Sequence, residues 1–318
     1  MEKVKTMKHD QKWITMTDDK QVNLHKWYQE GEQPKAIVQI AHGMTEHMDR
    51  YSDFAGFLVK NNVFVYGNDH RGHGKTGKRA GQLGFLAEKD GFERITDDLL
   101  AINEKIHHDY PNVPVFLLGH SMGSFLARRY IQKFPDTVTG VILSGTAGDP
   151  GVLGQIGIWL AKWEMKKYGI HSPSAFLNEL IFGQYNKRIK KKRTDFDWLT
   201  RDKRIVQSYI QDPLCGFICT TSFYYELLSG LKLIHNPEEM GKTPKDLPMF
   251  IFSGAEDPVG NYGKGVQKVI QQYEDIGMTV EWKIFPEARH EMLNELNRHE
   301  VYEMIIEWIN RHASVKKN

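Results

Sequence analysis

The stretch VPVFLLGHSMGS, residues 113–124, runs through apolar residues and then turns polar around Ser121, a serine set between Gly119 and Gly123. Its first half has the length and Val/Leu content of a strand buried on both faces. Its second half opens SMGSFLARRYIQKF, whose apolar side chains recur three and four residues apart, as on an amphipathic helix. The same alternation extends outward. AIVQIAHG (36–43), VFVYGND (63–69) and VTGVILSG (138–145) read as further buried strands, and RYSDFAGFLVKN and ITDDLLAINEKIHHDY as helices between them. Ahead of these, QKWITMT and QVNLHKWYQ flank TDDK and predict an antiparallel hairpin. Strand and helix in alternation predict an α/β fold: a mostly parallel central sheet flanked by helices.

The alternation stops after Gly145 and resumes at PMFIFSGAED (248–257), followed by helical KGVQKVIQQYEDIG, strand-like TVEWKIFP and a closing helix from Glu291 to His312. The intervening residues read as helices: GVLGQIGIWLAKWEMKKYG, SAFLNELIFGQYNKRIKKK, DWLTRDKRIVQSYIQ and TTSFYYELLSGLKLIH. The economical organisation is one α/β domain in two parts, residues 1–146 and 243–318, interrupted by a helical insertion over 147–242. A chain of 318 residues is long enough for such a core. With 42 basic against 40 acidic residues it carries +2, which singles out no partner, nucleic acid included. Cys215 and Cys219 are too few for a disulfide framework and read as small hydrophobes. With no secretory apolar run at the N-terminus and no membrane-length apolar stretch, the expected address is cytoplasmic.

Gly119-His120-Ser121-Met122-Gly123 has the form G-x-S-x-G. Between a buried strand and a helix, that pattern is a nucleophile elbow: the glycines let backbones crowd, and the serine hydroxyl stands exposed above the sheet. The ordinary alternative is a helix-capping serine. A serine hydroxyl needs a base to take its proton, and the base needs an acid to fix its tautomer. Asp257, after the strand PMFIFSG, and His290, after TVEWKIFP, fall at the ends of successive predicted strands, where open α/β sheets bind ligands. Glu256 reads as a solvated loop carboxylate, and Asp149 is the rival acid. The oxyanion formed on the substrate needs two backbone amides. Met122, after the nucleophile, supplies one; Met44, in the loop IAHGMTEH, supplies the other.

These residues resemble the monoacylglycerol lipase and lysophospholipase branch of the α/β-hydrolase superfamily. HGMTEHMDRY (42–51), NDHRGHGKT (68–76), GHSMGS (119–124), SGAEDPVG (253–260) and ARHEMLNE (288–295) match its signatures in order and approximate spacing, and DPLCGF (212–217) is similar to its bacterial members. Carried over by position, the resemblance implies Ser121 as nucleophile, Asp257 as acid, His290 as base and the amides of Met44 and Met122 as oxyanion hole. It implies a cap that shapes an acyl pocket, no cofactor and no metal, and a single-chain lipid ester as substrate. Ser124 departs from the pattern, standing where a further glycine is common, a change expected to affect helix packing. General carboxylesterases, thioesterases and peptidases share the triad, and a non-catalytic ligand-binding protein of the same fold is the alternative from another class.

Three other features have more than one reading. His42, His47, His70 and His73 lie on two loops without the tight spacing of a zinc centre, and read as hydrogen-bonded scaffolding. Ile156, Trp159, Leu160 and Trp163 fall on one helical face; core packing is the ordinary expectation, an acyl tunnel or peripheral membrane contact through the cap the alternative. The run Lys187, Arg188, Lys190, Lys191, Lys192 and Arg193 reads as a solvated face, with attraction to anionic lipid as the alternative.

Overall fold

The computed structural model describes residues 6–313. In chain order the first elements are β1 (Met7–Thr15), β2 (Gln21–Gln29), β3 (Ala36–Ala41), α1 (Ser52–Lys60), β4 (Val63–Asn68), α2 (Gly74–Arg79) and α3 (Gly91–Asp109). The quoted stretch supplies β5 (Val115–His120) and α4 (Met122–Lys133), and β6 (Gly140–Ser144) follows. Five helices come next: α5 (Gly151–Tyr168), α6 (Ala175–Phe182), α7 (Lys203–Gln211), α8 (Thr221–Ile234) and α9 (Pro237–Met240). The chain closes with β7 (Met249–Gly254), α10 (Lys264–Asp275), β8 (Val280–Phe285) and α11 (Arg298–Ala313).

The strands form one eight-stranded sheet in the order β1-β2-β4-β3-β5-β6-β7-β8. β1 and β2 pair antiparallel, β2 joins β4 antiparallel, and every pairing from β4 to β8 is parallel. The alternation along each strand divides its side chains between two helical layers. Phe116 and Leu118 of β5, with Phe250 and Phe252 of β7, meet α1 and α11 through Phe54, Tyr302 and Trp308. Leu117, Met249 and Ile251 point the other way, into a cluster with Leu99 of α3, Leu126 and Tyr130 of α4 and Val269 of α10. Each such large apolar side chain contributes about 1.5–3 kcal/mol when fully buried.

Helix α8 belongs to this second cluster: Phe223, Tyr224, Leu227 and Ile234 pack with α3 and α4. Helix α5 in turn lies on α8, and it does so through small residues. Gly154, Gly157 and Ala161 are its buried side, and a Cβ on Gly157 would sit 2.8 Å from Leu228. That choice leaves the large apolar face outside. Trp159 is 64% exposed, and Ile156 and Trp163 are exposed with it, so the expectation of core packing does not hold for these three, whereas Leu160 of the same stripe is partly buried against the second cluster.

Two helices are shorter than their periodicity suggests. α6 ends at Phe182; the basic run beyond it lies in turns, where Asn186 Nδ2 donates to the carbonyls of Thr194 and Asp195 and the Asp197 carboxylate accepts from Arg193 N and Thr194 Oγ1. The last helix starts at Arg298, since the backbone at Glu291 and Glu295 is not helical (ψ 77° and 167°) and their side chains are engaged elsewhere. Glu291 pairs with Arg50, and Glu295 accepts the amides of Arg201 and Arg289.

Candidate active site

The strand order changes direction where β3 lies between β4 and β5, which opens a crevice at the carboxyl ends of β3 and β5. Ala41 pairs with Gly119, so the loop after β3 and the elbow after β5 emerge side by side. Ser121 has φ 53° and ψ −121°, a left-handed conformation that L-residues adopt only under constraint. The constraint comes from both glycines. A Cβ on Gly119 would lie 2.2 Å from the Gly123 carbonyl oxygen, and one on Gly123 1.9 Å from the Ala41 oxygen. Ser121 N donates to the Ser144 carbonyl at 2.9 Å. Ser124, the departure noted in the motif, is buried and ties both its amide (2.8 Å) and its hydroxyl (2.6 Å) to the carbonyl of Ser121.

His290 and Asp257 meet at the neighbouring strand ends. His290 Nδ1 lies 2.9 Å from Asp257 Oδ2, and both residues are buried. Asp257 is itself held: Ser253 Oγ donates to Oδ2 at 3.1 Å and Val259 N to Oδ1 at 2.9 Å. Burial works against charge on His290, but the Asp257 carboxylate and its hydrogen bond outweigh it and raise the imidazole pKa above 6.5. With Nδ1 engaged, Nε2 is the nitrogen left for a second partner. Gly145, at φ 59°, makes room for the ring, since a Cβ there would come within 3.0 Å of it.

Ser121, His290, Met44 and Met122 line one cavity of about 850 Å³, and Asp257 sits behind His290. That volume falls within the usual ~300–1,000 Å³ of small-molecule sites. Its walls away from Ser121 are largely apolar, with Phe125, Leu177, Ile181, Trp198, Phe217 and Leu227 among them. Met122 opens α4, where a backbone N–H has no partner within the helix. On the other side Gly43 N donates to Glu46 Oε1 at 2.5 Å, and His42 Nδ1 faces the Gly43 carbonyl, whose peptide carries the Met44 amide. Asp149 is exposed and accepts the amide of Gly151, and Glu256 is exposed.

Several residues of the site carry no local signal in the sequence. Arg50 bridges two carboxylates, Glu46 of the loop after β3 and Glu291 beside His290, the latter through two 2.7 Å bonds. Burial favours the neutral form of Glu291, yet the Arg50 charge and hydrogen bonds hold its carboxyl well below the usual range. Only the i,i+4 spacing of Glu46 and Arg50 is visible in the sequence. Trp198 packs its ring 5.1 Å from that of His290, and the carbonyls of Trp198 and Leu199 accept the amides of His290 (3.5 Å) and Glu291 (2.7 Å). The histidines of the first half form a buried group. His70 N donates to His42 Nε2 at 2.9 Å, His42 Nδ1 faces the Gly43 carbonyl at 2.7 Å, and burial pushes His70 down to about 3 and His73 to about 4. His47 pairs with Asp212 at 2.8 Å.

The model of the family described as serine aminopeptidase, S33, matches residues 32–297. A monoacylglycerol lipase of Mycolicibacterium smegmatis is 27% identical over 282 residues, covering 88% of this chain and 89% of the relative. A monoglyceride lipase of Rattus norvegicus is 28% identical over 276 residues, covering 83% and 82%. Among solved structures, a highly thermostable carboxyl esterase from Bacillus coagulans in complex with glycerol superposes with a TM-score of 0.89 at 30% identity, covering 97% of this chain and 100% of that one.

Proposed function

The chain belongs to the serine aminopeptidase S33 family of α/β-hydrolases and is a carboxylic ester hydrolase, and on that footing we propose that it cleaves single-chain lipid esters, monoacylglycerols or lysophospholipids, through Ser121, His290 and Asp257. In this reading His290 Nε2 takes the proton of Ser121 Oγ as the oxygen attacks the ester carbonyl. The charge that develops on the carbonyl oxygen falls to the amides of Met44 and Met122, each donor of this kind being worth about 3 kcal/mol in the transition state. His290 then protonates the departing alcohol and, in the second half, activates water to release the fatty acid from the acyl-enzyme. The Asp257 carboxylate holds the proton on His290 Nδ1 and balances the charge on the ring.

The observation that supports this most directly is the 2.9 Å contact of His290 Nδ1 with a buried, doubly hydrogen-bonded carboxylate, in a cavity shared with a serine on a strained elbow. The apolar walls supplied by α6, α8 and the segment around Trp198 suit an acyl chain, so those helices act in this reading as the cap. A fluorophosphonate probe tests the chemistry. Labelling of the wild type that disappears in Ser121→Ala supports it, and no labelling of the folded wild type points to a ligand-binding protein. Hydrolysis of monoacylglycerols, lysophospholipids and nitrophenyl esters of graded chain length tests the substrate class. A flat profile would leave a general carboxylesterase, and preference for thioesters or peptides would replace the lipid assignment.

The exposed face of the cap supports peripheral membrane contact as part of the same reading. Val152, Leu153, Trp159 and Trp163 of α5 and Phe176 and Leu180 of α6 are all exposed. Such an apolar group on one side of a chain rests readily on a lipid surface. Among the described residues no helix is long and apolar enough to cross a membrane. The basic run contributes less than its charge suggests, because Arg188 stacks on Tyr262 and Lys192 and Arg193 pair with Asp195 and Asp197. Vesicle co-sedimentation that is lost in Trp159→Glu with Trp163→Glu, while soluble-ester turnover persists, supports the contact. Retention of binding in that variant refutes it.

A further inference from the structure

Outside the cavity, three side chains with metal-binding atoms converge at the amino-terminal hairpin. They are His9 on β1, His25 on β2 and Asp49 in the 3₁₀ turn Met48–Tyr51 that follows the loop after β3. The register places His9 opposite Trp27, so His9 and His25 are diagonal neighbours on one face of the hairpin. His9 Nε2 lies 3.1 Å from His25 Nδ1, and His25 Nδ1 lies 3.6 Å from Asp49 Oδ1. Bonds of about 2.0–2.1 Å around a tetrahedral zinc put adjacent donors roughly 3.3–3.4 Å apart. The two observed separations bracket that value.

We propose that His9, His25 and Asp49 bind a divalent ion of the Zn²⁺ type, with water in the fourth position, and so clasp the first strand to the turn beyond the loop of Met44.

The surroundings are those of a held ligand set. His25 is fully buried, and its other ring nitrogen, Nε2, is among the buried polar atoms without a hydrogen-bond partner, 3.6 Å from Asp69 Oδ1. A carboxylate behind the second nitrogen of a ligating histidine orients the ring and raises its basicity toward a metal. Asp69 is fixed in turn by the amides of Met48 (2.9 Å) and Lys75 (2.8 Å). The His9 ring lies flat on Trp27, with centroids 4.1 Å apart and an 8° interplanar angle. Gln11 Nε2 donates to Asp49 Oδ1 at 3.1 Å, and Lys75 Nζ stands 3.8 Å from the other oxygen, Oδ2.

A hydrogen bond between the two rings would account for the 3.1 Å separation alone. It leaves Asp49 Oδ1, which accepts from Gln11, 3.6 Å from the same nitrogen; a metal would join all three atoms directly.

The test uses tag-free, chelator-treated full-length protein titrated with ZnCl₂ by calorimetry, with a thermal melt of each sample. The expected result is one Zn²⁺ bound per chain, weakened by more than about 100-fold in His9→Gln and in Asp49→Asn, beyond what losing an outer-sphere partner causes. At a hundredfold excess over Kd the wild type should melt about 3 °C or more higher, and His9→Gln should not shift. His9 is at the surface, so His9→Gln should remain folded with a cooperative melt that zinc does not move, which separates loss of the site from misfolding. Cys215→Ser is the control, since His47, Asp212 and Cys215 form a second cluster of similar compactness. Zinc binding that survives both His9→Gln and Asp49→Asn, that is lost in Cys215→Ser instead, or that does not saturate at millimolar zinc overturns the proposal.

Discussion

Replacing Asp257 by asparagine changes one charge and almost no volume, and the contacts of this carboxylate set the consequence. Val259 N donates to Oδ1 at 2.9 Å, so the oxygen of the new side-chain amide would stay on that side. Its NH₂ group would then take the place of Oδ2, facing His290 Nδ1 and Ser253 Oγ. Ser253 can rotate its hydroxyl and accept. His290 Nδ1 can accept only by giving up its proton, which moves to Nε2, the atom that receives the Ser121 proton in the proposed mechanism. The imidazole would be held in the wrong tautomer, and such a change costs about 10⁴-fold in turnover, or about 5 kcal/mol of barrier at roughly 1.36 kcal/mol per decade.

The same substitution moves the pH profile in a direction fixed by sign. The base works when neutral, and Asp257 raises its pKa above 6.5, so wild-type activity should rise through an acid limb centred above that value. Without the carboxylate, burial is opposed only by the weaker pull of Glu291 and Glu46, and the limb should move to lower pH. The assay is kcat/KM on a nitrophenyl ester from acid to mildly alkaline pH, with circular dichroism to confirm that the variant is folded. A folded Asp257→Asn protein within about tenfold of wild type, or one whose acid limb does not move, would refute the assignment of His290 and Asp257 as a working pair.

Arg50→Met should lower the unfolding free energy by about 3–5 kcal/mol in urea titration, because it leaves Glu46 and Glu291 buried without their shared counter-charge. Gly145→Ala should cut turnover more than stability, since its Cβ would press on the His290 ring from 3.0 Å; equal losses in both would show that the contact is structural only. Burial depresses His70 and His235 to about 3 and His73 and His120 to about 4. The unfolded chain therefore binds protons that the folded one refuses, and stability should fall as pH drops from about 6.5 toward 4, by ~1.4 kcal/mol per unit for each such histidine. His235→Gln should flatten the slope of the urea midpoint against pH in that window; an unchanged slope would count against a neutral buried His235.

The elbow is legible in the sequence because its requirement is local: no side chain fits where the Gly119 and Gly123 backbones meet their neighbours, and the pattern records that. His290 and Asp257 are legible because strand ends are. Arg50 and Glu291 are not, since the pair joins residues 241 apart and nothing near either one announces the other. Trp198 is hidden for the same reason. The outward face of α5 shows a different limit. Periodicity marks Ile156, Trp159 and Trp163 as one stripe, but a second stripe of Gly154, Gly157 and Ala161 permits closer approach to α8, and that approach won. In the basic run, apolar spacing predicts more helix than forms, because Asn186, Thr194 and Asp197 offer the backbone tighter local turns.

The stitching of Trp198 and Leu199 to His290 and Glu291 joins one wall of the chamber to the segment after β8. Arg289 reinforces the seam by donating to the carbonyls of Asp197 and Thr200. Under the proposed mechanism any breathing of that stretch to admit a bulkier guest would tug on the base, gearing access to catalytic tempo. Remodelling for new guests is then best begun at Ile156, Ile181 or Leu228, which border the chamber away from the seam, whereas changes at 197–201 would trade selectivity against speed.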